Sequence, residues 1–197
     1  MPYRRTPFVV GEYYHIFNRG ALRNTLFYNH SAYVAFVGLI RRFAADHGIK
    51  VILICLMPNH FHLLVQIMDG GDLSEFMRVV CNSFSKRSNR ELRRTGTVFE
   101  GRFKDKHVNS TSYLEQVCLY IHANPVKAGL VNHPADWQYS NYLELIGERR
   151  ELPFDPNFFR RYFRSAPEYE AAVLTSSGQT KIASAEFASH LAEMMLL

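Results

Sequence analysis

Between residues 50 and 67 the chain reads KVILICLM, breaks at Pro58-Asn59, and resumes as HFHLLVQI. Two apolar stretches of strand length joined by so short a break constrain the fold more than any other feature, because they must lie side by side in one sheet. The first is apolar almost without interruption, as expected of a strand buried on both faces. The second alternates: His60, His62, Leu64 and Gln66 take one face, and Phe61, Leu63, Val65 and Ile67 take the other. The second set is what a sheet buries beneath helices, so the two histidines point to the opposite face.

The remaining periodicities build around this pair. YYHIFN at 13–18 reads as a strand, with NRG as the turn after it. Tyr33, Phe36, Val37, Ile40, Phe43 and Ala44 fall at helical spacing, and Gly48 supplies the stop. Asp72 with Glu75 forms a capping-box pattern ahead of Leu73, Phe76, Met77, Val80 and Phe84, which share a helix face. Residues 97–110 read as an extended segment or hairpin. Ser110 or Ser112 then caps a helix that runs to Asn124 and is stopped by Pro125. The order β-α-β-β-α-β plus a helix predicts an α+β, ferredoxin-like (split βαβ) domain: a four-stranded antiparallel sheet with two helices on one face and one added helix. The texture changes near residue 133, so 1–132 reads as the core and 133–197 as an extension packing partly on it, with a loose stretch at 175–181 and a short terminal helix.

Composition narrows the functional classes. The 197 residues are 47% hydrophobic and 14% aromatic, which excludes wholesale disorder. Cys55, Cys81 and Cys118 are scattered and show no CxxC spacing, as expected of reduced core residues in a cytoplasmic protein. No apolar run is long enough to span a bilayer, and the start, MPYRRTPFVVG, lacks the apolar region of a signal peptide. The net charge is +5. From Arg78 to Lys106 nine basic residues face three acids, so this segment alone exceeds the charge of the whole chain. Interleaved with Phe84, Phe99 and Phe103, such a stripe suits single-stranded nucleic acid better than a merely solvated helix end, because backbone neutralisation and base stacking can share one surface.

Two imidazoles at i and i+2 on a strand are close enough to bind one metal ion. The motif YIHANPVKAG, 120–129, offers what else the site needs. Tyr120 and Asn124 are four residues apart and project from one side of a helix. Leu114, Val117, Cys118 and Ile121 form a neighbouring apolar stripe by which that helix docks over the sheet. The carboxamide of Asn124 is then a reasonable third ligand, and the Tyr120 phenol beside a metal-bound phosphate is a candidate nucleophile. The plainer alternative is two histidines bonded to nearby carbonyls and a tyrosine at the edge of the core.

HFH within MPNHFHLLVQ, followed by a helix carrying Tyr and then NPVKAGLV, resembles the His-hydrophobic-His single-tyrosine transposases, and within them the REP-associated tyrosine transposase branch. YHIFNRG, GTVFEGRFKDKHV and WQYSNY support the likeness, which covers roughly residues 10–145. The resemblance implies a metal-dependent enzyme that cleaves and joins single-stranded DNA at hairpins through a 5′-phosphotyrosine intermediate. Tyr120 would be the nucleophile, His60, His62 and Asn124 the ligands of Mg²⁺ or Mn²⁺, and no nucleotide cofactor would be used. Where many relatives outside the REP branch have Gln as third ligand, this chain has Asn124, a shorter arm. For phosphate contacts the basic candidates are Lys86, Arg87, Arg102, Lys104 and Lys106. His122, two residues from Tyr120, points elsewhere and reads as structural; Lys127 reads equally as a phosphate contact or a solvated lysine; the role of His15 is open. The partner implied is hairpin-forming, REP-like single-stranded DNA, no membrane is implied, and the protein would act as monomer or homodimer. The competing reading is a ferredoxin-like module that binds single-stranded DNA or RNA without chemistry.

Overall fold

The computed structural model describes residues 7–178. Four strands, β1 (Tyr13–Arg19), β2 (Ile49–Met57), β3 (His60–Ile67) and β4 (Lys104–Val108), form one sheet in the order β2-β3-β1-β4. Every pairing is antiparallel. Helices α1 (His30–Ala44) and α2 (Leu73–Glu91) make the two crossings, so the expected split βαβ core is present. After β4 come α3 (Thr111–Lys127), α4 (Tyr142–Ile146), α5 (Pro156–Tyr162) and α6 (Ala166–Gly178). Among the described residues no helix is long and apolar enough to cross a membrane.

Local chemistry sets the helix starts. Asn29 Oδ1 accepts from Ala32 N at 2.9 Å, Asp72 Oδ1 from Glu75 N at 2.9 Å, and Ser110 Oγ from Tyr113 N at 3.3 Å. Ser110, and not Ser112, is thus the cap of α3. The expected stop at Pro125 is overturned, because α3 continues to Lys127 with the proline inside its last turn. Proline lacks only its own N–H, and the turn beyond it closes through Ala128 N to Asn124 O and Gly129 N to Val126 O, both 2.9 Å. The stretch expected to be loose at 175–181 is helical as far as residue 178, inside α6; its remainder and the expected terminal helix lie outside the described residues.

Two apolar clusters sandwich the sheet. Phe61, Leu63, Val65 and Ile67 of β3 join Tyr14 and Ile16 of β1 beneath α1 and α2. On the other face Leu64, Phe17, Cys55 and Met57 meet Val117, Cys118 and Ile121 of α3, together with Tyr142, Phe158, Tyr169 and Val173 from the later helices. The near-continuous apolar run of β2 is explained by this burial on both sides. A register shift between Val51 and Leu53 turns both Ile52 and Leu53 toward the α3 cluster. The outer edge of β2 is covered by residues 139–141: Leu56 N donates to Tyr139 O at 3.0 Å and Asn141 N to Ile54 O at 3.1 Å.

Candidate active site

Cross-strand register builds the site. Phe17 pairs with His62 and Arg19 with His60, while Lys106 pairs with His15 and Lys104 with Phe17. Directly paired residues share a face. His60, His62, His15, Arg19, Lys104 and Lys106 therefore all lie on the side where α3 packs. The α3 helix brings Tyr120 in over them, its ring 5.6 Å from that of His62 and 6.4 Å from that of His15, centroid to centroid. The histidines themselves are near neighbours, with His60 and His62 rings 5.0 Å apart. The two motifs, separated in sequence by nearly sixty residues, thus meet within one chain.

The state of His60 suits ligation. Burial, reinforced by the positive charge of Arg19, lowers the His60 pKa to about 4, so its imidazole is neutral at pH 7. Its Nδ1 lies 2.7 Å from Asn59 Oδ1. Tyr120 is 9% exposed, and burial raises its phenol to about 12, a hydrogen bond from the Asn124 side chain acting in the opposite direction. Asn124 also donates its amide Nδ2 to Tyr120 O at 3.0 Å, which ties the carboxamide to the turn carrying the phenol and leaves its oxygen to accept or ligate. Among the described residues no cluster of three His, Cys, Asp or Glu side chains has metal-binding geometry. A cation here would therefore be held by the His60 and His62 imidazoles and the Asn124 amide oxygen, with its remaining positions open to water or phosphate. That donor set fits a divalent ion.

The basic candidates separate by face. Lys104 and Lys106 stand beside the site on β4. Arg102 is exposed in the segment before it, where Asn18 Nδ2 donates to Gly101 O at 3.2 Å, next to the Arg19 end. Lys86 and Arg87 sit on α2, beneath the sheet and away from Tyr120; Arg87 is paired with Glu91 at 2.7 Å and bonded to Ser31 at 3.0 Å. Three further side chains stand near the site without a role evident from sequence. His15 contacts His62, Arg19 is buried and ion-paired with Glu100, and Lys127 places its ammonium 5.5 Å from the centre of the Tyr120 ring. His15 and Arg19 were recoverable in principle from strand alternation, since they share the parity of Phe17; their partners were not.

Residues 8–124 match the family model described as transposase IS200 like. The chain belongs to that family. A Haemophilus influenzae protein named for the REP-associated tyrosine transposases is 30% identical over 105 residues, 47% of this chain and 58% of that protein. The aligned stretch thus spans less than two thirds of the relative's length. A solved structure described as a REP-associated tyrosine transposase bound to a REP hairpin superposes with a TM-score of 0.63, covering 79% of this chain and 92% of that one at 19% identity. At that identity the likeness establishes the fold: the four-stranded antiparallel sheet with helices is that of the transposase.

Proposed function

We propose that this IS200-like transposase cleaves and rejoins single-stranded DNA at hairpins through a tyrosine-linked intermediate. The observation that carries the reading is the approach of Tyr120 to His62 on a face that also holds His60, His15 and two lysines. The REP hairpin in the similar solved structure supports hairpin DNA as substrate. His60, His62 and Asn124 would hold a divalent cation, Mg²⁺ or Mn²⁺, which when bound supplies Lewis-acid polarisation of the scissile phosphate.

The chain's own groups do the rest. A phenol held near pKa 12 is almost wholly protonated at pH 7, so Tyr120 must lose its proton as it attacks. The Tyr120 Oη–P bond forms while the P–O3′ bond breaks; the proton passes to solvent and the departing 3′-oxygen ends as a hydroxyl. The 5′-phosphotyrosine conserves the bond energy, so a 3′-hydroxyl can reverse the step and join strands without ATP. Asn124 steadies the phenolate by hydrogen bonding, and burial excludes water that would compete. Lys104, Lys106 and Arg102 are suited to hold the backbone phosphates, whereas Lys86 and Arg87 lie on the wrong face to share that strand. Residues 1–132 would form the catalytic core and the described part of the extension would brace the tyrosine helix. Because Tyr120 lies beside histidines of its own chain, one chain can supply the whole site.

The test is a denaturing gel with labelled single-stranded hairpins, Mn²⁺ or EDTA, and Tyr120→Phe beside the wild type. A metal-dependent protein–DNA band absent from the variant is expected. Binding with no adduct on any hairpin tested would favour a non-catalytic binding module.

A further inference from the structure

One contact in the site has no part in the reaction as described. His15 and His62 are both fully buried, their rings stack with centroids 5.1 Å apart, and His15 Nε2 lies 3.0 Å from His62 Nδ1. Two imidazoles that meet nitrogen to nitrogen bond only if one carries the proton and the other the lone pair. On His60 the equivalent nitrogen is also taken, and there the direction is defined. Asn59 Nδ2 faces the Arg23 carbonyl at 3.5 Å, so its oxygen is the atom that meets His60 Nδ1 at 2.7 Å. An oxygen can only accept, hence His60 Nδ1 donates and its Nε2 carries the lone pair. For His62 the two directions have opposite consequences. If His15 donated, His62 Nε2 would carry the proton and could not ligate; if His15 accepts, both site histidines present Nε2 lone pairs.

We propose that His15 is a positioning residue for the cation site: its Nε2 accepts the His62 Nδ1 proton, fixing the ring and reserving His62 Nε2 for the metal. The inference rests on the reading of His60 and His62 as ligands. A hydrogen-bond partner behind a ligating imidazole sets its tautomer and orientation and ordinarily matters by about 10- to 100-fold in metal affinity. A core histidine with only a packing role would have no such effect on binding.

The experiment uses the full chain without DNA. Mn²⁺ binding is titrated by the electron paramagnetic resonance of the free ion, for wild type, His15→Phe and His15→Gln. Glutamine places an amide oxygen about where His15 Nε2 sits, so it keeps the acceptor that phenylalanine removes. In the metal-free wild type, long-range ¹H–¹⁵N correlation of the imidazole rings reads the His62 tautomer directly. Expected are an Nδ1–H tautomer for His62, binding weakened about 10- to 100-fold in His15→Phe, and recovery of most of it in His15→Gln. Wild-type affinity in a folded His15→Phe, or an Nε2–H tautomer in the metal-free wild type, overturns the proposal. If His15→Phe does not fold, the tautomer and the His15→Gln titration decide. A wild type that binds no Mn²⁺, or whose binding survives His60→Ala, refutes the metal reading itself and the inference with it; loss of affinity in His60→Ala but not in His15→Phe refutes the inference alone.

Discussion

Asn141 is where the later part of the chain is tied to the tyrosine helix, and Asn141→Leu should show how much that tie contributes. The side chain is fully buried and makes four hydrogen bonds. Its Nδ2 donates to Ile52 O and Pro153 O, both at 2.8 Å. Its Oδ1 accepts from Ile54 N at 2.9 Å and from His122 Nε2 at 3.0 Å. With Nε2 committed as a donor, His122 Nδ1 accepts from the Tyr169 hydroxyl at 2.7 Å, so one chain of bonds runs from β2 through α3 to α6. Leucine keeps the same branched heavy-atom skeleton, so the bonds lost are chiefly what the substitution reads, with some crowding by its larger methyl groups adding to the cost. At about 1 kcal/mol net for each bond, with buried groups left unpaired, the expected cost is about 4 kcal/mol. That is a large share of a typical domain's 5–15 kcal/mol. In urea, with a slope near 2 kcal/mol/M, the midpoint should fall by about 2 M. A loss below about 1 kcal/mol at unchanged slope would refute the view that this network braces α3.

Other consequences are as concrete. Burial lowers the His122 pKa to about 4, so below pH 6.5 the unfolded chain takes up a proton that the folded one refuses. Stability should be level above pH 6.5 and fall by up to about 1.4 kcal/mol per pH unit for this histidine between there and pH 4, with His60 acting in the same direction; urea titrations at pH 7, 5.5 and 4.5 that coincide would contradict it. Replacing both Lys104 and Lys106 by alanine should weaken single-stranded DNA binding and make its log–log salt dependence shallower by about 1.4, as for two lost phosphate contacts; an unchanged slope measured by fluorescence anisotropy would remove them from the interface. Gly48 has φ +59° and an added Cβ would lie 2.7 Å from Gly71 Cα, so Gly48→Ala should cost about 2 kcal/mol, a fall of roughly 4–8 °C in Tm by calorimetry. A variant that melts with the wild type would show that this backbone crossing can relax.

The sequence by itself determined the sheet and which face carries the histidines, because strand alternation and helix spacing are local properties that survive in any context. The parity of HFHLLVQI put His60 and His62 opposite the buried Phe61 and Leu63, and the four-residue spacing put Tyr120 and Asn124 on one side of a helix. It also misjudged where local rules compete: a proline that ends most helices is absorbed in the last turn of α3, where the next residues still find acceptors. What only the tertiary structure decided are relations among distant segments. His15 meets His62 because β1 lies beside β3, Arg19 stands next to His60 for the same reason, and His122 meets residues of α4 and α6 that no spacing connects to it. Lys86 and Arg87 belong to the same basic run as Lys104 and Lys106, yet the chain crosses the sheet between them and leaves the two pairs on opposite faces. Charge density is written along the chain; the surface on which it acts is set by the fold.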